Sequence, residues 1–243
     1  DGGFDDWQRT VKEAFMDPKL STEKVLTSAN SINLARFLPQ SIYYFHALAQ
    51  IPRSEWENQV ICVPSGNFGD ITAGLIAWKM GMPVKRFVAA VNANKVFTEF
   101  LKSGIYKPAP SIATIANAMD VGDPSNFARV SELFGGSAEE MKKLISSFSY
   151  SDKQIGDTIT EVKKRTGYIC DPHGAVGYAA LRDDLKEGEH GIFLETAHPA
   201  KFKATVEKFI GDTVEIPARL QKFMDGTKQS IRIKADFNAL QIK

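Results

Sequence analysis

The stretch VICVPSGNFGDITAGLIAWKMGMP, Val60 to Pro83, decides the fold. It opens with an apolar run from Val60 to Val63 and turns through Ser65 to Asp70. A helical stretch from Ile71 to Met80 follows, with Gly81 and Pro83 placed to stop it. Phe87 to Val91 is a second apolar run of strand length. Strand, helix and strand in that order make a β-α-β unit, whose crossover is right-handed in nearly all proteins.

The same alternation continues outward from this unit. Ser151 opens an amphipathic helix with Ile155, Ile159 and Val162 on one face and Gly167 at its end. Asp171 followed by Pro172 is an N-cap with proline at the first helical position, which starts a helix through Gly177, Ala180 and Leu181. Ile192 to Glu195 reads as a strand, Thr196 to Pro199 as a turn, and Phe202 to Ile210 as an amphipathic helix closed by Gly211. Upstream, Ile32 to Ile51 is apolar almost all round despite Pro39, which predicts a buried, kinked helix with Asn30 as its cap. Asp5 is placed to cap a short helix near the start, and Tyr106 to Ser125 reads as a long irregular connection. Repeated alternation of strand and helix gives the fold class: α/β, an open, mostly parallel sheet with flanking helices.

Composition excludes several classes of function. Thirty basic residues against twenty-nine acidic ones leave a net charge of +1, so no whole-chain field draws in nucleic acid or an anionic membrane. A small anionic ligand remains compatible with one local site. Cys62 and Cys170 form neither a zinc-type spacing nor a disulfide framework, and Cys170 with His173 lacks a second pair. No metal is expected, and a reducing, cytoplasmic setting is. No apolar run approaches the length of a membrane span. The chain opens at Asp1 without a methionine, so an upstream segment is expected.

The turn at Ser65 to Gly69 carries the chemistry. In an open α/β sheet, ligands sit beyond the carboxyl ends of strands, where the next helix offers unpaired amides and a partial positive charge. Gly66 and Gly69 let the backbone approach an anion, and Ser65 and Asn67 have side-chain donors to add. No Gly-Lys-Ser/Thr follows, a third glycine is missing, and the second strand ends at Asn92 with no acid to grip a ribose. One phosphate therefore fits better than a dinucleotide. The competing reading is that the glycines only make a tight turn. Asp70 opposes a phosphate and is expected to cap the helix or lie at the surface.

Five strings in one order, Ser28 to Phe45, Val63 to Gly74, Asn117 to Phe127, Asp171 to Leu181 and Glu195 to Phe202, resemble threonine synthase. The resemblance covers nearly the whole chain and implies a fold type II pyridoxal-phosphate enzyme. It also implies conversion of O-phospho-L-homoserine and water to L-threonine and phosphate. It assigns Ser65, Gly66, Asn67, Phe68 and Gly69 to the cofactor phosphate and Thr196 to the pyridine nitrogen, where a hydroxyl leaves the ring largely unprotonated. Thr196 as a simple helix cap is the alternative. Asn30, Asn33, Arg36 and Lys201 are candidate contacts for a phosphorylated amino-acid substrate, and His173 and His198 are expected to be caps or satisfied polar groups. By the same resemblance, residues 1–25 are a remnant of a smaller domain, and residues 26–243 are the rest of the cofactor-binding domain with C-terminal helices.

The family carries its cofactor on a lysine in a Phe-Lys-Asp type motif, and no such motif occurs here. Lys95 and Lys203 fall on helical patterns instead. The expected catalytic residue therefore lies in an N-terminal part of the polypeptide, and this chain alone is expected to be inactive and prone to associate through exposed sheet edges. Two other functions fit the same residues: a different pyridoxal-phosphate lyase or dehydratase, and a non-catalytic phosphate-binding domain.

Overall fold

The computed structural model describes residues 2–239. In chain order the helices are α1 (Phe4–Met16), α2 (Pro18–Glu23), α3 (Leu34–Phe37), α4 (Ser41–Ala49), α5 (Gly69–Lys79) and α6 (Val96–Ser103). They continue with α7 (Phe127–Leu133), α8 (Ala138–Lys142), α9 (Asp152–Thr166), α10 (Pro172–Asp184), α11 (Lys203–Ile210) and α12 (Ala218–Met224). The strands are β1 (Gln59–Pro64), β2 (Arg86–Val91), β3 (Ile145–Ser149) and β4 (His190–Phe193).

The four strands form one parallel sheet in the order β3-β2-β1-β4, with Cys62 opposite both Val88 and Phe193. The α/β class and the open parallel sheet are as the sequence predicts. β1 is buried along its whole length because helices cover both faces of the sheet, which is why it reads as an unbroken apolar run. β3 escapes such a reading. Its sequence, ISSFS, has three serines in five residues, and two of them are spent on neighbours: Ser146 Oγ donates to Asp184 Oδ1 at 2.7 Å, and Ser147 pairs with Thr98.

Residues Asn30–Val214 form one compact unit that contains the sheet. Its helix ends follow their predicted chemistry. Ser151 and Gln154 make a reciprocal capping box on α9, and Gly167 closes that helix at φ 77°. Asp171 caps α10 with Pro172 in the first turn, and Gly211 closes α11. The stretch from Ile32 to Ile51 departs from expectation. It is two short helices, α3 and α4, joined by a 3-10 turn at Leu38–Gln40. Pro39 lacks the amide that would continue α3, and Asn33 Oδ1, not Asn30, caps that helix by accepting from Ala35 N at 3.0 Å. Phe37, Tyr44 and Leu48 are buried, while Leu34, Ile42 and Tyr43 are exposed, so this segment has one apolar face open to solvent.

A second compact unit joins the two ends of the chain, up to Ala29 and from Glu215 onward. In it Gly3 holds the N-cap position of α1, and its amide donates to Asp6 Oδ2 at 2.9 Å. Asp5 lies inside the first turn instead of capping it. Gly2 packs against Ala235, where an added Cβ would come within 2.8 Å.

Candidate functional site

The strand order places a topological switch between β1 and β4. The chain builds outward from β1 to β2 and β3, then returns to the other side of β1 to lay down β4. Loops leaving β1 and β4 at their carboxyl ends therefore diverge and leave a crevice between them. A cleft of about 370 Å³ opens there. Its floor is Pro64 through Ile71 from the β1 loop, and its other walls are Thr196, Ala197, Lys201 and Phe202 from the β4 loop. Ala118, Met119, His173, Ser31, Arg36 and Gln40 complete it.

Among the described residues, the backbone amides from Gly66 to Ile71 donate to no protein acceptor. Three of them belong to the first turn of α5, where no partner exists inside the helix. Phe68 stands between the loop and the helix in the left-handed region, φ 62° and ψ 13°. A left-handed residue followed by helical ones curls successive amides toward one point, which is the geometry of an anion nest. Phe68 is held there by burial of its ring, 4.6 Å from that of Phe97. The glycines also have a packing task that their spacing does not show. A Cβ on Gly66 would meet Ala118 O and Met119 Cα at 2.8 Å, and one on Gly69 would meet Ser31 Cβ at 2.8 Å. They let neighbouring segments close on the loop.

The polar side chains of the loop brace it. Ser65 Oγ donates to Val63 O at 2.8 Å. Asn67 Nδ2 donates to Ser31 Oγ at 2.7 Å, and its Oδ1 accepts from Ser125 N at 2.7 Å. Asn126 Nδ2 donates to Asn67 O, and Arg129 donates to Asn126 Oδ1 and Ile32 O. The irregular Tyr106 to Ser125 connection thus forms a wall of the cleft. It is ordered by Asn92 and Asn94, which bond Thr114, Ile112 and Asp120.

Of the remaining candidates, Thr196, Arg36 and Lys201 line the cleft, whereas Asn30 and Asn33 are not among its lining residues. Asn30 Oδ1 accepts from Ser31 Oγ, and Asn33 serves as the cap of α3. His198 caps the turn before α11 through Ala200 N. Lys203 is engaged by Glu207 and Val214 O, and Lys95 lies on the surface beside Glu99. His173 is fixed on both sides: Nδ1 is 2.6 Å from Asp171 Oδ1, and Nε2 accepts from Ala118 N at 3.1 Å.

Two carboxyls stand out. Asp70 is neither a cap nor a surface residue but a cleft-lining acid, and Tyr44 Oη donates to it at 3.1 Å. Burial pushes it up to about 6. Glu195, just before Thr196, is pushed up to about 8 by burial and by the neighbouring Asp171 charge. Neither was distinguishable by residue type or spacing. Only packing from distant segments sets its environment.

A nest of six open amides on the floor of a cleft suits one phosphate, and a hydroxyl, an Arg and a Lys around the rim suit the rest of a phosphorylated cofactor and an anionic substrate. Residues 1–194 match the family model "Pyridoxal-phosphate dependent enzyme", and the chain belongs to that family of cofactor-dependent enzymes. Within it, residues 174–242 match the model "Threonine synthase, C-terminal". The chain is 47% identical to threonine synthase of Escherichia coli over 241 residues, which is 99% of this chain and 56% of that protein. The crystal structure of the E. coli enzyme superposes with a TM-score of 0.93, again over 99% of this chain and 56% of that one. A pyridoxal-phosphate-bound threonine synthase structure from Brucella melitensis superposes with a TM-score of 0.83 at 30% identity, over 98% of this chain and 56% of that one. The chain thus spans little more than half the length of these relatives. No helix among the described residues is long and apolar enough to cross a membrane.

Proposed function

We propose that this chain is the C-terminal part of a threonine synthase, and that its cleft holds pyridoxal phosphate for the conversion of O-phospho-L-homoserine and water to L-threonine and phosphate. The observation that carries this reading is the run of acceptor-free amides from Gly66 to Ile71 at the switch point between β1 and β4. Similarity to threonine synthases over 99% of the chain supplies the reaction.

The candidate residues take separate tasks under this proposal. The amides bind the cofactor phosphate, aided by the positive end of α5. Ser65 and Asn67 keep that loop in shape. Thr196 places a neutral hydroxyl at the ring nitrogen. When bound, pyridoxal phosphate supplies an electron sink that stabilises negative charge on carbon beside the substrate amine. Arg36 and Lys201 hold the substrate's phosphate or carboxylate, Arg36 with a planar fork and Lys201 as a point charge. The base that moves the carbon-bound proton is the lysine expected in the N-terminal part of the polypeptide, so the proposed role of this chain is binding and orientation, with no turnover alone.

Titration of the purified protein with pyridoxal phosphate, followed by absorbance, tests the site. Binding at millimolar concentration or tighter is expected, with at least tenfold loss in Gly69→Ala, where the new methyl displaces Ser31 and the first turn of α5. No binding at millimolar ligand overturns the assignment. Joined to the N-terminal part, the protein is expected to release phosphate from O-phospho-L-homoserine, and activity only on unphosphorylated hydroxy amino acids would redirect the proposal to a dehydratase.

A further inference from the structure

Behind Thr196 lies a buried polar chain that the cofactor reading leaves unused. Asp171 is fully buried, and its Oδ1 accepts from His173 N at 2.7 Å and from His173 Nδ1 at 2.6 Å. Because Nε2 of His173 accepts from Ala118 N, the ring hydrogen sits on Nδ1 and the imidazole is neutral. Asp171 Oδ2 has no donor. Glu195 Oε1 accepts from Asp171 N at 3.2 Å, while Glu195 Oε2 is also buried without a donor. Glu195 lies directly on the first turn of α10: a Cβ added to Gly174 would come 1.8 Å from its Oε2. Two neighbouring carboxyls, each with one buried, orphaned oxygen, cannot both be anions at reasonable cost, whereas one shared proton satisfies both oxygens.

We propose that Glu195 is a positioning residue held as a neutral acid, donating from Oε2 to Asp171 Oδ2, so that Glu195, Asp171 and His173 form one hydrogen-bonded chain beneath the cleft. Two consequences concern the proposed cofactor site and rest on that reading. The chain fixes the peptide that presents Thr196, the next residue, and through His173 it fixes Ala118, whose carbonyl packs on Gly66. It also keeps a second negative charge away from a cleft built for an anion.

The groups that face the pair support the assignment. Cys170 and Tyr168 precede Asp171, and burial raises both groups above their ordinary range, so neither brings a charge to the pair. His173 is the neutral imidazole already described. Among the described residues, no cation acts on Glu195 to keep it ionised. Its own displacement to about 8 has the sign expected of a carboxyl that keeps its proton on folding. Such a group adds stability that is fully present below about pH 4.5, where the unfolded chain is also protonated, and that falls as pH rises toward 8.

The test compares wild type with Glu195→Gln, whose amide can donate to Asp171 Oδ2 and accept from Asp171 N at every pH. Thermal melting from pH 5 to pH 9 is expected to show similar Tm values at pH 5 and a variant several degrees more stable at pH 9. Parallel curves, or an equal deficit of the variant throughout, overturn the proposal. Glu195→Ala is expected to melt lower at every pH. Pyridoxal phosphate titration adds a second readout: affinity falls about tenfold more in wild type than in Glu195→Gln between pH 7 and pH 9, the variant correcting for ionisation of the ligand itself. If neither protein binds ligand at any pH, the cofactor reading fails and the melting curves still decide the Glu195 assignment. Should Glu195→Gln fail to fold, carboxyl carbon NMR of wild type decides. One glutamate resonance titrating between pH 7 and pH 9 supports the shared proton, and none above pH 6 overturns it.

Discussion

Asp70 sets a puzzle at the scale of one residue: an acid in the first turn of a helix whose amino end is proposed to hold an anion. Burial raises its carboxyl to about 6, against a smaller opposing effect from the Tyr44 hydroxyl. A raised carboxyl makes its full contribution to stability below about pH 4, and that contribution is lost as pH climbs to 6, leaving an unfavourable buried charge at neutrality. Asp70→Asn keeps an acceptor for Tyr44 and removes the charge. It is expected to stabilise the protein by up to about 2 kcal/mol at pH 7.5 and by nothing measurable at pH 4, read from denaturant midpoints. It should also tighten inorganic phosphate binding severalfold at pH 7.5. Weaker phosphate binding in the variant would mean that Asp70 shapes the nest instead of opposing its ligand. Neighbouring residues show how much one position can conceal. Phe68 takes the left-handed backbone that glycine usually takes, while Gly66 and Gly69 have ordinary backbone and are small for packing.

Elements are tied together at the opposite end of the sheet by Arg86, the first residue of β2. Its guanidinium donates to Asp184 Oδ2 at 2.7 Å and to both oxygens of Glu189 at 2.6 and 2.7 Å, joining β2 to the end of α10 and the turn before β4. Arg86, with Lys85, holds Glu189 well below the usual carboxylate range. A depressed carboxylate adds stability that is present above about pH 4.5 and lost below it. Arg86→Leu leaves two nearly buried carboxylates without their partner and is expected to cost about 3 kcal/mol at pH 7. The loss should shrink toward pH 3 in urea melts, with phosphate affinity unchanged because the cleft lies at the other end of the strands. Unequal legibility of the elements has the same root. β1, α5, β2, α9 and α10 carry their signals within themselves, as apolar runs, caps and closing glycines. The turn after β1 could be singled out as a candidate anion site for that reason. β3 is defined by its partners Asp184 and Thr98, whereas Pro39 marks the break between α3 and α4 in the sequence but not the 3-10 turn that fills it. Glu195 and Asp171, twenty-four positions apart, become an acid pair only when β4 and α10 meet.

Over the whole molecule, the cleft belongs to one unit alone. Its lining runs from Ser31 to Phe202, within Asn30–Val214, and none of it comes from the unit formed by the two chain ends. Ligand bound to the folded form stabilises by RT ln(1 + [L]/Kd), about 1.4 kcal/mol at ten times Kd. For a unit of this size that amounts to a rise in Tm of about 3–5 °C. Differential scanning calorimetry with pyridoxal phosphate at ten times its measured Kd should therefore move the transition of the sheet-bearing unit by that amount. Any separate transition of the terminal unit should stay in place. The assignment can be checked without relying on which peak is which. Gly69→Ala should cut the ligand-dependent shift to about 1 °C or less, whereas Gly2→Ala, which crowds Ala235 in the terminal unit, should lower that unit's own stability and leave the shift intact. A ligand-dependent shift that survives Gly69→Ala and disappears with Gly2→Ala would locate binding away from the β1 loop, and with it would go the premise that six open amides at the tip of β1 were folded to receive a phosphate.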